Sequence, residues 1–294
     1  GTSQAHPDSS TVFDGLLLQG NAQQGNLVLA LAAGDLMLGG QGLQASGTAE
    51  LRVAGAVLDG DLASDSVDIT ATTLTVFASN VGTAESTLET SLGTVTGTVG
   101  AGGLYVQESD ALLVSNLISA GTVVLSTLGS NTQHLSVASL SAAGQAVTLV
   151  SQGAVIDGDT SNDGLDITAA GLTVTATGLG TEASRLETSL DNQTATVGTG
   201  GAHLVETDAL LVSSLSSTGA VNLTTTAAAS DLSVASLSAG GQSVTLVSQG
   251  AVLDGDAGSD GLDITAAALT VTAAGLGTAA SRMETSLEDR KSGV

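Results

Sequence analysis

The sequence predicts an all-β protein that folds as a right-handed parallel β-helix, or β-solenoid, of about 12 coils. The main observation is internal repetition. The segment Val147–Leu190 returns 97 residues later as Val244–Leu287, with 36 of 44 positions identical. A looser copy lies 98 residues before the first of these, over residues 54–92. A unit of about 97 residues is therefore present three times, and such repetition is typical of solenoids and domain arrays.

A shorter period divides each repeat into coils. Segments that begin at Leu210 and Leu232 share the pattern Leu-x-Val-x-Ser-Leu-Ser and lie 22 residues apart. The corresponding segments at Leu112 and Leu135 lie 23 residues apart. A coil of this length, stacked on similar coils through short strands, forms a parallel β-solenoid. Left-handed solenoids use regular hexapeptide steps, which this sequence lacks, so we expect a right-handed one.

Within the coils, apolar and polar residues alternate as they do in half-buried strands. In the segment LTVTAT (172–177), the leucine and valine point to one side and the threonines to the other. Gly, Asp, Asn and Ser mark the bends between such segments. The segment GTEASRLETSL (180–190) is the best candidate for a short helix, and an extended or single-turn conformation is an equal alternative.

The repeats give the domain organisation. We place an irregular N-terminal edge with the first strand at 1–24, and solenoid repeats at 25–120, 121–218 and 219–294, the last one truncated. Tandem immunoglobulin-like sandwiches have a similar period and are the alternative architecture. Their cores need aromatic residues, however, and aromatics make up only 1% of this chain. The shorter internal period also favours the solenoid.

Charge and composition exclude several classes of partner. The chain has 29 acidic and 5 basic residues and a net charge of −24, so it offers no basic surface to nucleic acid or to anionic membranes. It contains no apolar stretch of about 18 residues, so we expect no membrane insertion. The absence of cysteine excludes disulfides and thiolate metal sites.

The repeat units resemble those of a known protein family. The segments LSVASLSAGGQSVTLVSQGAVLDGD (232–256) and LDITAAALTVTAAGLGTAASRMETSL (262–287) are similar to repeats of filamentous-haemagglutinin-like exoproteins, the giant surface adhesins of Gram-negative bacteria. The resemblance covers about residues 25–290. It implies a right-handed β-helix, secretion through an outer-membrane transporter and an extracellular or cell-surface location. It also implies a cell-surface or glycan receptor for the parent adhesin.

The acidic DGD turns are the strongest chemical signal. Hard cations such as Ca²⁺ bind about six to eight oxygen atoms on tightly turning, Gly-rich loops. The segment from Asp159 matches the first half of an EF-hand loop, but Ala170 stands where that loop has its bidentate Glu. A solvated acidic turn, in which Asp side chains cap backbone N–H groups, is the alternative. Ca²⁺ is the one candidate cofactor, and its candidate ligands are Asp59, Asp61, Asp65, Asp157, Asp159, Asp163, Asp254, Asp256 and Asp260, with Asp68, Asp166 and Asp263 nearby in the sequence.

No catalytic constellation is evident in the sequence. Glu89, Glu187 and Glu284 recur in Glu-Thr-Ser segments, and we interpret them as surface ion pairs or turn caps. The Thr-x-Thr pair at Thr173 and Thr175 is typical of ice-binding faces. Such a face needs a pair on nearly every coil, whereas the sequence shows this pair once in about four coils.

We therefore expect a non-catalytic shaft segment of a bacterial cell-surface or secreted adhesin. The alternative is a calcium- or carbohydrate-binding module that uses the Asp-rich turns, and a carbohydrate-active enzyme on a β-helix is the least favoured class. Because the ends of a solenoid expose unpaired strand edges, we also expect end-to-end self-association.

Overall fold

A computed structural model describes residues 15–18, 21–61, 66–159, 164–256 and 261–288. Within these ranges the chain forms 25 strands and no helix. The strands, numbered β1 to β25 in chain order, are Gly15–Leu18, Asn21–Gln23, Leu27–Leu31, Asp35–Leu38, Leu43–Ala45, Thr48–Val53, Ala56–Asp59, Ile69–Val81, Leu88–Glu108, Leu112–Ser119, Val123–Thr127, Leu135–Val137, Leu140–Ser151, Val155–Asp157, Ile167–Ala176, Leu186–Val197, Ala202–Glu206, Leu210–Ser217, Val221–Thr225, Leu232–Val234, Leu237–Val247, Ala251–Asp254, Ile264–Thr272, Gly275–Leu276 and Thr285–Leu287.

The described strands pair in parallel with the strands one turn earlier and one turn later. For example, β13 pairs with β11 on one side and with β15 on the other. All 25 strands belong to one continuous sheet that winds through about 12 turns. The predicted fold class, an all-β parallel solenoid, is therefore confirmed. The right-handed winding stays a prediction.

The core consists of apolar side chains stacked from turn to turn. Leu172 and Val174 are each 1% exposed, while the threonines between and after them face the solvent, as the alternation predicts. Leu172 lies in register with Val147 on one turn and with Gln193 on the next. The ladders are built from Leu, Val, Ile and Ala, and neighbouring turns are about 4.8 Å apart.

The helical interpretation of residues 180–190 was wrong, and the alternative of an extended or single-turn conformation is confirmed. Residues 180–185 form bends, and β16 begins at Leu186. The Thr181 hydroxyl accepts a hydrogen bond from the N–H of Ser184 at 2.9 Å, and the N–H of Thr181 donates to the carbonyl of Ser184 at 2.7 Å. Such a local turn, closed by a threonine side chain, competes with a helix.

Equivalent positions in successive repeats do not lie on the same side of the rod. One column of paired strands runs from β7, which carries Asp59, to β22, which carries Asp254, and it takes nine turns. These two residues are two repeats apart, so each repeat advances the chain by four and a half turns. The strand β14 carries Asp157, the equivalent residue of the middle repeat. It does not belong to this column and lies in a second column of paired strands, where it pairs with β12. The nine pairs are Val57–Val81, Val81–Leu104, Leu104–Val123, Val123–Val147, Val147–Leu172, Leu172–Gln193, Gln193–Val212, Val212–Val234 and Val234–Asp254.

One core position carries an amide instead of a hydrocarbon. Gln193 is fully buried between Leu172 and Val212, and neither its Oε1 nor its Nε2 makes a hydrogen bond within the described residues. The equivalent position in the preceding repeat is Val95, which is 1% exposed. Burying an unpaired amide costs about 1–3 kcal/mol.

We predict that Gln193→Val raises the free energy of unfolding by about 1–3 kcal/mol, because it removes the unpaired amide and restores the apolar ladder. Chemical denaturation followed by circular dichroism measures the change. The reciprocal variant Val95→Gln serves as the control and should lower stability. A destabilised Gln193→Val protein would show that the amide has a partner that the described contacts lack.

Candidate metal site

An acidic cluster recurs in each repeat, where the DGD turn meets the next turn of the solenoid. In each cluster, carboxylate oxygens of three residues lie within 4.8 Å of one another. We call these clusters the acidic triads. They consist of Asp59, Asp68 and Glu89; of Asp157, Asp159 and Asp166; and of Asp254, Asp263 and Glu284.

The first aspartate of each DGD turn ends a strand and closes the turn. The Oδ1 atom of Asp59 accepts a hydrogen bond from the N–H of Asp61 at 3.0 Å, and its Oδ2 accepts one from the Ser86 hydroxyl at 2.6 Å. Asp157 and Asp254 make the equivalent contacts in their repeats. The aspartate thus caps its own turn and anchors it to the loop of the following turn, as expected for Asx-type turns.

One aspartate of each triad is buried and joins two turns, and we call it the inner aspartate. Asp68, Asp166 and Asp263 are 2%, 1% and 1% exposed. The N–H of Glu89 donates to the Oδ2 atom of Asp68 at 2.9 Å, and the N–H of Asp68 donates to the carbonyl of Glu89 at 2.8 Å. The same two bonds form in the later repeats. Each buried aspartate therefore pairs with the backbone of the glutamate one turn later, just before its own chain segment begins the next strand.

Burial makes the inner aspartates weak acids. Burial raises the pKa of Asp68 to about 8, and the carboxylates of Asp59 and Glu89 raise this pKa further, while the backbone hydrogen bond opposes the rise. Burial likewise raises the pKa of Asp166 to about 8. The pKa of Asp263 is raised from the same first cause. The inner aspartates of the first two repeats are therefore protonated at neutral pH.

The outer aspartate of the third triad shows the opposite shift. The hydrogen bond from the Ser281 hydroxyl lowers the pKa of Asp254, and the bond from the backbone of Asp256 adds to this. Carboxylates with pKa values shifted apart divide the roles of acid and base. In this triad Asp254 is the stronger acid and Asp263 the weaker one.

The structure brings only some of the predicted ligands together. Asp59, Asp157, Asp159 and Asp254 belong to the triads. Asp61 turns instead towards the previous turn, where its Oδ2 accepts a hydrogen bond from the N–H of Gly40 at 2.7 Å. The backbone N–H of Asp256 donates a hydrogen bond to the side chain of Asp254, and Asp256 is not a member of the third triad. The predicted ligands Asp65, Asp163 and Asp260 lie outside the described residues.

Sequence reasoning missed two members of the triads. Glu89 and Glu284 were interpreted as surface ion pairs or turn caps, but their carboxylates lie against the inner aspartates Asp68 and Asp263. A signal was present, because each of these glutamates follows its aspartate by 21 residues. That separation is one turn of the solenoid, so the two residues must stack.

Two further buried carboxylates, those of Glu108 and Glu206, accept hydrogen bonds from neighbouring segments outside the triads. Glu108 and Glu206 are 0% and 1% exposed. The Thr90 hydroxyl and the N–H of Leu92 donate to Glu108 Oε2 at 2.7 and 3.0 Å, and Glu206 has equivalent donors in its repeat. Burial raises the pKa of Glu206 to about 7 and also raises that of Glu108. These glutamates tie three segments of the backbone together.

The chemistry of the triads is restricted to oxygen ligands. Clusters of carboxylates bind hard cations such as Ca²⁺ or share protons. Three residues supply fewer oxygens than the six to eight that Ca²⁺ takes, so water or backbone carbonyls would complete its coordination. A cation and the proton on the inner aspartate compete for the same oxygens.

A scan against models of protein families matched none of them, and searches of curated proteins and of solved structures returned no match. The resemblance to filamentous-haemagglutinin-like exoproteins therefore stays an inference from the repeat sequence. Among the described residues there is no helix long and apolar enough to cross a membrane.

We predict that the folded protein loses stability as the pH rises from about 4 to about 8 when divalent cations are absent. The folded pKa of Asp68 and Asp166 is about 8, above the ordinary aspartate value of 3.8, so the folded state binds more protons across this window. Glu206, with a raised pKa of about 7, acts in the same direction. Thermal melts at pH 5 and pH 8.5 in chelator measure the effect.

The control for this prediction is Asp166→Asn, since asparagine resembles the protonated acid. Its melting temperature should depend less on pH than that of the unchanged protein. A second control, Asp191→Asn, removes one exposed charge outside the triads and should leave the pH dependence almost unchanged. Equal stability at both pH values in the unchanged protein would contradict the prediction.

Proposed function

We propose that this chain is a non-catalytic shaft segment of a bacterial cell-surface or secreted adhesin, which supports adhesive surfaces at a distance from the cell. The observation that supports this most is the continuous strand ladder, in which about 12 turns stack across all three repeats. At about 4.8 Å per turn, the rod is about 58 Å long. A stack of similar turns sets a length and a direction, as a spacer requires.

The location and partners of the shaft form part of the same proposal. They rest on the resemblance of the repeats to surface exoproteins. The chain is then secreted through an outer-membrane transporter, lies outside the cell and belongs to a protein that binds a cell-surface or glycan receptor. The net charge of −24 favours solubility of an exposed rod.

A shaft should tolerate the loss of a whole repeat. Deleting residues 147–243 joins Ala146 directly to Val244, and the sequence that follows the junction is nearly the same as the one removed. We predict a folded rod that is shorter by four and a half turns, or about 22 Å. Small-angle X-ray scattering measures the length, and circular dichroism measures the strand content per residue.

The matched control deletes about half as much, residues 147–193, and joins Ala146 to Thr194. Because Gln193 lies two whole turns after Val147, this deletion places the outward-facing Thr194 at an inward position. The control should unfold or aggregate, because core positions no longer meet core positions. In the parent adhesin, the whole-repeat deletion should leave receptor binding intact and shorten the reach. Loss of binding on that deletion would show that this segment contains the binding surface and is not a spacer.

The second candidate function is a cation-binding module, and the acidic triads favour it. Three carboxylates within 4.8 Å recur in each repeat, and a divalent cation would neutralise their mutual repulsion. Since the inner aspartates hold protons near neutral pH, a bound cation must displace them. Binding should therefore strengthen as the pH rises.

A calcium titration of thermal stability tests this candidate. A ligand that binds only the folded state raises the free energy of unfolding by about 2.7 kcal/mol at 100 times its dissociation constant. We predict a larger Ca²⁺-induced rise in melting temperature at pH 8.5 than at pH 5.5, reduced in Asp157→Asn but not in Asp191→Asn. Sodium chloride at matched ionic strength serves as the control, and magnesium tests selectivity among divalent cations. A rise that NaCl reproduces in full would indicate charge screening only.

A further inference from the structure

One side of the rod carries no charged residues over seven consecutive turns. The strand segments on this side stack in register from Leu104 through Val123, Val147 and so on to Val234. None of the segments contains Asp, Glu, Lys or Arg. We call their outward surface the neutral face, and its segments are 103–107, 123–128, 146–152, 171–177, 192–198, 211–218 and 233–240.

The neutral face contrasts with the rest of a chain that has a net charge of −24. Acidic residues lie at its borders: Asp110, Asp208 and Asp231 lie between strands, and Asp191 lies within β16. Two copies that approach through those borders bring like charges together, which is unfavourable. The neutral face lets two copies approach without facing carboxylates.

The centre of the neutral face is a regular array of hydroxyl groups. Thr175 pairs in register with Thr196, and Thr196 pairs with Ser216. A second file of Thr and Ser runs beside it, two residues earlier in each strand. None of these hydroxyls donates or accepts a hydrogen bond within the described part of the chain. In the sequence the Thr-x-Thr pair recurs only once in about four coils, whereas the register places hydroxyl pairs on three successive turns.

The end of the neutral face nearer the N-terminus is more apolar. Leu128 is 52% exposed, and Val124 and Val150 are partly exposed beside it. A hydroxyl group is both a donor and an acceptor, so a hydroxyl array can pair with an identical array. This property is what a two-fold symmetric interface requires, since the same patch faces itself.

The area of the face sets the strength of association. Seven turns at about 4.8 Å and strands of about five residues at 3.3 Å give about 500 Å² on each copy. The total of about 1,000 Å² is at the lower limit for specific interfaces. Association through this face is therefore weak and depends on protein concentration.

We propose that the neutral face is a docking surface for a second copy of this chain, lying side by side with the first. The opposite side of the rod is less suitable. There the uncharged run is shorter, because the outward-facing Glu50 and Arg52 interrupt it at one end and the outward-facing Glu187 at the other. The association therefore stops at a dimer and does not continue into a sheet of rods.

Sedimentation velocity of the full chain tests the proposal, from about 10 μM to about 1 mM protein and at about 0.15 and 1 M NaCl. We expect a reversible dimer that is more populated at high salt, because salt screens the repulsion between the acidic borders. The test variant Thr173→Glu with Thr175→Glu places charges on the neutral face. It should weaken the dimer at least about tenfold, with the melting temperature almost unchanged.

The matched control is Thr270→Glu with Thr272→Glu. These exposed threonines occupy the same Leu-Thr-Val-Thr segment of the next repeat, four and a half turns away and on the other side of the rod. The control should dimerise like the unchanged protein. Equal weakening in both variants would show a general effect of charge, and this would overturn the proposal.

Three other outcomes would also overturn it. The first is a protein that stays monomeric at about 1 mM and 1 M NaCl. The second is a dimer of doubled length in small-angle X-ray scattering, since that indicates end-to-end stacking. The third is a monomer that binds neutral glycans on a glycan microarray and loses this binding in the test variant, because the neutral face is then a glycan-binding site.

Discussion

Backbone hydrogen bonds between parallel strands of successive turns determine nearly everything else in this rod. They place each inward side chain directly on the inward side chain of the previous turn, as Leu172 lies on Val147. The ladders consist of Leu, Val, Ile and Ala, whose side chains pack closely on their neighbours one turn away.

The same stacking creates the polar features of the molecule. An aspartate that follows the DGD turn must either meet a backbone partner or remain unpaired in the interior. Asp68 meets the N–H of Glu89 on the next turn and loses its contact with water. Its raised pKa is a consequence of this position. The triads are thus structural joints first, and their affinity for protons or cations comes from the burial that the joint imposes.

The half-turn offset between repeats decides how the rod meets other molecules. Features that recur in every repeat, such as the acidic triads, alternate between two sides. A feature of one repeat returns to the same side only after two repeats, or about 43 Å. A partner that recognises one repeat therefore finds its sites on both sides of a shaft, whereas the neutral face depends on turns from all three repeats and lies on one side.

The sequence predicts the fold class well, because alternation and repetition are local signals. The Thr-Val-Thr strand at 172–177 and the 22-residue period suffice to predict stacked parallel strands. The half-turn offset was not predicted, since it depends on the total number of residues in the turns and not on any single motif.

The candidate site was predicted in part for the same reason. The DGD turns were visible as a motif, but Glu89 joins its triad through a contact between turns. The hydroxyl array was missed because Thr196 and Ser216 lie in segments with a different local sequence from Thr175. Contacts one turn apart become predictable only when the length of each turn is known. Gln193 shows the limit of the pattern, since it occupies a core position that alternation alone assigns to a hydrocarbon.

The central claim is that each repeat advances the chain by four and a half turns. Because the chain has no cysteine, pairs of cysteines can be introduced at the equivalent positions Thr75, Thr173 and Thr270, spin-labelled and measured by pulsed electron paramagnetic resonance. The account predicts about 43 Å between the labels at Thr75 and Thr270, which are nine turns apart on one side. The labels at Thr75 and Thr173 should then be much further apart than half of that distance, since they lie on opposite sides. A distance of about 22 Å for this second pair would place all repeats on one side and contradict the account.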